Sequence, residues 1–102
     1  MAEYPAVRGD LCPTHPGRLL RDDVIPATGR SKAEIARLLG VSRQHLHAIL
    51  AEQRPVSPEV AARLGKLFGN GPGIWIRMQG AHDIWHAERA VDTSAIPTIK
   101  AA

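Results

Sequence analysis

The succession of apolar and polar positions along the chain predicts five helices, each bounded by glycine, proline or a capping serine. In the first, opening near Pro16 and Gly17, Leu19, Leu20 and Val24 form the buried face. It is expected to end before Pro26, because proline disfavours helical geometry in its predecessor. Ser31-Lys32-Ala33-Glu34 reads as a capping box, with the serine oxygen accepting from the backbone N–H three residues on and the carboxylate reaching back. The second helix starts there, buries Ile35, Ala36, Leu38 and Leu39, and is closed by Gly40 in a left-handed conformation. Ser42 can cap a third helix only two residues later, with Val41 plugging the angle between the two. Helices joined by so tight a turn meet steeply, as in a helix-turn-helix.

At about 100° per residue, Leu46, Ile49 and Leu50 of the third helix point inward. Arg43, Gln44, His47, Ala48 and Ala51 share the opposite arc. A solvated polar face would look similar, but the capped turn in front of it favours a DNA-reading helix. Arginine can donate a bidentate pair to guanine, and glutamine can pair with adenine. A fourth helix opens with Ser57 as cap and Pro58 in the first turn, and Val60, Leu64, Leu67 and Phe68 give it a core stripe. Gly69 to Gly71 break it, and Pro72 opens a fifth helix to about Arg89. There Ile74, Met78, Ala81 and Trp85 make one stripe, Trp75 sits on its edge, and Ile76 and Ile84 lie around the back. That exceeds the apolar surface one core contact uses, so Ile74, Trp75, Ile76, Ile84 and Trp85 are candidate dimer-interface residues. Residues 1–14 read as a flexible N-terminal arm, 15–89 as the folded domain and 90–102 as a flexible C-terminal tail.

Composition and charge narrow the class. At 102 residues there is material for one small domain, and only four aromatic residues, Tyr4, Phe68, Trp75 and Trp85, so the core is made mostly of aliphatic side chains, which suits packed helices. The single cysteine, Cys12, has no partner for an internal disulfide, and no apolar stretch is long enough for a signal peptide or membrane span. A cytoplasmic location is expected, with no membrane role. The net charge is +3, but residues 30–66 carry seven Lys or Arg against three Glu, so the positive charge concentrates around the helix-turn-helix. Such a distribution is the footprint of a polyanion-binding face.

His82-Asp83-Ile84-Trp85-His86 raises a different chemistry. Histidines four apart share a helix face, and the stretch resembles H-E-x-x-H, in which two imidazoles hold zinc and a carboxylate activates water. A catalytic site needs a third protein ligand and a cleft, and downstream only Glu88 and Asp92 offer donors. The expectation is therefore no functional metal and no cofactor, with His82 and His86 as ordinary polar or interface side chains and Cys12 as an incidental thiol. A small metal-dependent hydrolase using His82 and His86 stands as an alternative.

Taken together, His15-Pro16-Gly17 followed by RLLRDDVI, then EIARLLGVSRQHLHAIL, VSPEVAARLGKLFG, and the Trp75, Gln79, Asp83-Ile84-Trp85 pattern resemble the HigA/VapI-type antitoxins of the Xre/Cro-like helix-turn-helix family. The resemblance covers about residues 15–88. The chain departs from it at Ala51-Glu52, where the family has Asn-Gly, and at Gly73, where it has Glu. The resemblance implies an all-α, five-helix fold of the lambda-repressor-like type and a non-enzymatic function. It implies a homodimeric repressor that binds double-stranded operator DNA and represses its own operon. As the antitoxin of a type II toxin–antitoxin pair, it would neutralise a HigB-like ribonuclease toxin. Arg43, Gln44 and His47 would read bases, and Ser42, Gln53 and Arg54 would hold phosphates. A stand-alone Cro-like regulator with no toxin is the alternative within the same fold.

Overall fold

The computed structural model describes residues 11–101, and every regular element among them is helical. The chain enters the fold through His15, whose ring Nδ1 accepts from Gly17 N at 2.9 Å and so caps the first helix. Burial and then the nearby His82 ring lower the pKa of His15, against opposing contributions from Glu52, Asp83 and the Arg54 backbone carbonyl. Helix α1 covers residues 16–28 in three contiguous pieces: Pro16–Leu19, a π-helical Leu20–Val24, and Ile25–Thr28. The expectation that it ends before Pro26 is corrected by the π segment. Ile25 N donates to Leu20 O, five residues back, so the turn widens just ahead of the proline. Pro26 has no N–H to offer, and the wider turn relieves the collision its ring would make in α geometry. The helix ends instead at Gly29, with φ of 69°.

Helix α2 (Lys32–Leu39) is capped by Ser31, whose hydroxyl accepts from Glu34 N at 3.1 Å. The Glu34 carboxylate is held by Arg30 and lies 3.9 Å from Arg37 Nη2. Gly40, with φ of 76°, closes the helix in a full Schellman arrangement: Val41 N donates to Ala36 O and Gly40 N to Arg37 O, both at 3.1 Å. Ser42 caps α3 (Arg43–Leu50) by accepting from His45 N at 3.0 Å, and Val41 sits half-buried in the angle between the helices. The tight turn read from Gly40-Val41-Ser42 is therefore present with the hydrogen bonds that its residue types dictate.

Helix α4 (Pro58–Phe68) begins at the Ser57 cap, and α5 (Gly73–Ala90) follows a short turn. The core gathers Leu20 and Ile25 from α1, Ile35, Ala36 and Leu39 from α2, Leu46, Ile49 and Leu50 from α3, and Val60, Ala61 and Leu64 from α4. Trp75 completes it from α5. Its placement corrects the sequence reading of that helix, because the face that packs inward carries Trp75 and Gln79, both buried, while Ile74, Met78 and Trp85 are only partly covered. A tryptophan ring removes about 150–250 Å² from water, which outweighs the narrower stripe. Gln79 can be buried because its amide is satisfied at both ends: Oε1 accepts from Val56 N at 2.7 Å, and Nε2 donates to Asp83 Oδ1 at 2.9 Å.

Two glycines are imposed by close approach. A Cβ at Gly17 would overlap the backbone carbonyl of Ile49, and one at Gly65 would overlap the carbonyl group of Gly71. These two contacts set how near α1 comes to α3 and how tightly the α4–α5 turn folds back.

After α3 the chain turns through Ala51-Glu52, and Glu52 adopts φ of 62°, a left-handed conformation in a residue with a Cβ. Gln53 N and Arg54 N both reach Ala48 O, at 2.8 and 3.2 Å. The left-handed position costs an L-residue about 1–2 kcal/mol, part of which glycine returns in backbone entropy. Glu52→Gly is thus expected to stabilise the fold by about 0.5–1 kcal/mol and raise Tm by about 2–8 °C in a thermal CD scan. An unchanged or lower Tm would mean that the 3.8 Å contact from Glu52 to Arg21 Nη1 matters more than the strain.

Candidate nucleic-acid interface

Every side chain assigned from sequence to DNA reading is exposed and lies on or next to α3. Arg43, Gln44 and His47 project from its outer face, and with Ala48 and Gln53 they line one shallow depression. Ser42 sits at the start of the helix; its oxygen is taken by His45 N, which leaves the hydroxyl proton for an acceptor outside the chain. Arg54 is exposed too, but it stands one step further round, in a second depression with His15, Glu52, Gln53 and His82. The six residues therefore form a row from the N-terminus of α3 to the loop beyond its C-terminus.

Sequence reasoning missed Lys32. It opens α2 and lines a further depression with Ala33, Arg43 and His47 of α2 and α3. Its position after the Ser31 cap, on the polar side of α2, was the available signal. Conversely, part of the basic charge counted in residues 30–66 is engaged inside the fold. Arg63 Nη1 donates to Leu39 O at 2.8 Å, covering the C-terminus of α2, and its Nη2 pairs with Glu59 at 3.1 Å. Arg21, from α1, does the same for α3, donating to Leu50 O at 3.1 Å. Long cations near helix ends satisfy carbonyls that have no intrahelical partner, so a charge count overstates what faces a polyanion.

The candidate dimer residues separate into two groups. Ile74, Ile76 and Ile84 are exposed, at 40%, 36% and 60%. Trp85 is half-buried, with the Arg89 guanidinium 3.7 Å over its ring. Trp75 is corrected: it is 1% exposed within its own chain, and its indole N–H donates to Asn70 Oδ1 at 3.1 Å, so it has no surface left to offer a second copy. The histidines of the HDIWH stretch do share a face, with ring centroids 4.5 Å apart, and His82 Nδ1 lies 3.2 Å from Asp83 Oδ1. Cys12, assigned to the arm as an isolated thiol, has its Sγ 3.5 Å from His86 Nε2. The first ten residues of the expected arm lie outside the described residues. Among the described residues, no helix is long and apolar enough to cross a membrane.

Known proteins with this arrangement are numerous. A helix-turn-helix domain model matches residues 18–73. Virulence-associated protein I of Dichelobacter nodosus is 34% identical over 85 residues, which span 83% of this chain and 79% of that protein. Among solved structures, the Pseudomonas aeruginosa antitoxin HigA with the higBA promoter superposes with a TM-score of 0.73 at 36% identity, over 76% of this chain and 85% of that one. An addiction module antidote protein of a HigA family from Coxiella burnetii gives 0.70 at 30% identity, over 80% and 98%. The five helices, the capped turn and the exposed face of α3 agree with these likenesses, and the chain belongs to the HigA/VapI-type family of helix-turn-helix DNA-binding regulators.

Proposed function

We propose that this chain is a dimeric operator-binding repressor and the antitoxin of a toxin–antitoxin pair. The observation that carries the DNA half is the row of Arg43, Gln44 and His47 on α3. No other described element covers it, and the Ser42 cap presents it directly after the steep turn. Laid in a major groove, the first turn of α3 brings Arg43 and Gln44 to base edges, while Ser42, Gln53, Arg54 and Lys32 stand where phosphates pass. The antitoxin half is supported by the relatives, which include an antitoxin HigA and an addiction module antidote protein. In that role the chain would neutralise a small ribonuclease toxin and repress the operon encoding both.

Arg43→Ala tests the reading face. It is expected to cost about 1–3 kcal/mol on the preferred operator, measured by fluorescence anisotropy, with little change on random DNA. Equal losses on both DNAs would make Arg43 a phosphate contact. For the antitoxin half, the product of the adjacent reading frame is co-expressed with this chain. A stable complex and relief of growth arrest are expected; a neighbour that neither binds nor arrests growth would leave a stand-alone regulator.

A further inference from the structure

We infer that Cys12, His82 and His86 form a zinc-class metal site that fastens the segment ahead of α1 to the last helix. The expectation of no functional metal rested on a missing third ligand, and the structure supplies one from seventy residues away in sequence. One donor atom from each of the three residues lies within 4.8 Å of the others. Zn–S and Zn–N bonds of about 2.3 and 2.0 Å at a tetrahedral angle place sulfur and nitrogen about 3.5 Å apart. The distance from Cys12 Sγ to His86 Nε2 is 3.5 Å.

The surroundings suit a ligand set. His82 and His86 are one helical turn apart on α5, so their spacing is held by the backbone. Asp83 Oδ1 lies against His82 Nδ1, which orients the ring and leaves Nε2 for the metal, the arrangement by which carboxylates fix metal-binding imidazoles. His15 packs edge-on to His82, with centroids 4.9 Å apart, but it is not a ligand. Its Nδ1 accepts from Gly17 N and is occupied in capping the first helix. One thiolate and two imidazoles are borderline-soft donors, which suit Zn(II) and the ions that mimic it over Mg(II) or Ca(II). Cys12 and His86 are exposed, so a metal has a path in from solvent. Binding converts the Cys12 thiol to thiolate and releases its proton to the buffer.

The test uses the full chain, reduced and stripped with chelator, then titrated with Co(II) or Zn(II) chloride alone. Cys12 is the only cysteine in the chain, so every thiol signal reports on this site. Expected are one Co(II) per chain, a thiolate-to-cobalt charge-transfer band in the near ultraviolet, and loss of that band when Zn(II) is added. Zn(II) should also slow alkylation of Cys12 by iodoacetamide at least about tenfold. Cys12→Ser and His86→Ala, both at exposed positions and checked by CD, should each weaken Zn(II) binding by at least about 100-fold, since even indirect supports of a metal site cost 10–100-fold. Absence of the charge-transfer band, or Zn(II) affinity unchanged in Cys12→Ser, would overturn the site and leave an adventitious two-histidine contact. No arm involves DNA, so its outcome is independent of the proposed repressor function.

Discussion

Gly17→Ala is expected to destabilise the domain by about 3 kcal/mol or more and to lower Tm by about 12–24 °C in calorimetry. The added methyl meets the Ile49 carbonyl, which is backbone in the last turn of α3 and cannot rotate aside as a side chain would. Relief requires α1 to back away from α3, and that opens the contact in which Leu20, Ile49 and Leu50 are buried. DNA binding should fall in parallel, since α1 buttresses the reading helix from behind. Gly80→Ala serves as the control. Nothing lies within 4 Å of the new Cβ, and Gly80 is inside α5, so the same chemical change should stabilise by about 0.5–1 kcal/mol. Equal and small effects from both substitutions would show that α1 and α3 are not in the contact described.

The second large effect is expected from Ile76→Asp combined with Ile84→Asp. Both side chains are exposed on α5, Ile84 opposite the Trp75 and Gln79 face that holds the helix to its own chain and Ile76 on its flank, so the variant should retain its helicity. In the proposed dimer, two carboxylates per chain would enter an apolar contact. Light scattering should then give the 11.0 kDa monomer. Operator affinity should fall about 10²–10⁴-fold as two linked half-site contacts become separate ones. Two recognition helices set about 34 Å apart also require a palindromic site, so half-sites moved by half a helical turn should be bound no better than by the variant. A double variant that stays dimeric would move the interface to another surface. A wild-type monomer at micromolar concentration would remove the dimer altogether.

The parts of this structure that could be read in the sequence are those governed by local rules. Ser31, Ser42 and Ser57 each cap a helix, and Gly40 ends one, because hydroxyl acceptors and a left-handed glycine act within four residues of themselves. The outward arc of α3 follows in turn from helical period and the position of its cap. What escaped depends on contacts distant in sequence or on a choice between near-equal faces. Pro26 reads as a stop because the π register that admits it has no sequence signature. On α5 the Ile74, Met78, Trp85 stripe looked apolar enough to face inward, yet Trp75 and Gln79 do, since Val56 N and Asn70 wait there to satisfy their polar atoms. Cys12 looked isolated because the histidines it meets are supplied by the far end of the chain.

The buried amide of Gln79 constrains how this sequence can diverge. Val56 N–H can only donate and the Asp83 carboxylate only accepts when ionised, so the side chain between them must show oxygen to one and nitrogen to the other. A glutamate at 79 would put two carboxylates face to face, and a leucine would leave the buried Val56 N–H without its acceptor. Asp83 is more exposed and also lies against His82 Nδ1, so another acceptor such as asparagine could replace it, whereas a lysine there would present a donor to the amide nitrogen. Position 79 is therefore held to an amide, and position 83 to a side chain that accepts from it. In a set of descendants of this chain, residue 79 should stay glutamine while residue 83 varies among acceptors, and exposed Ile84 beside them should vary freely.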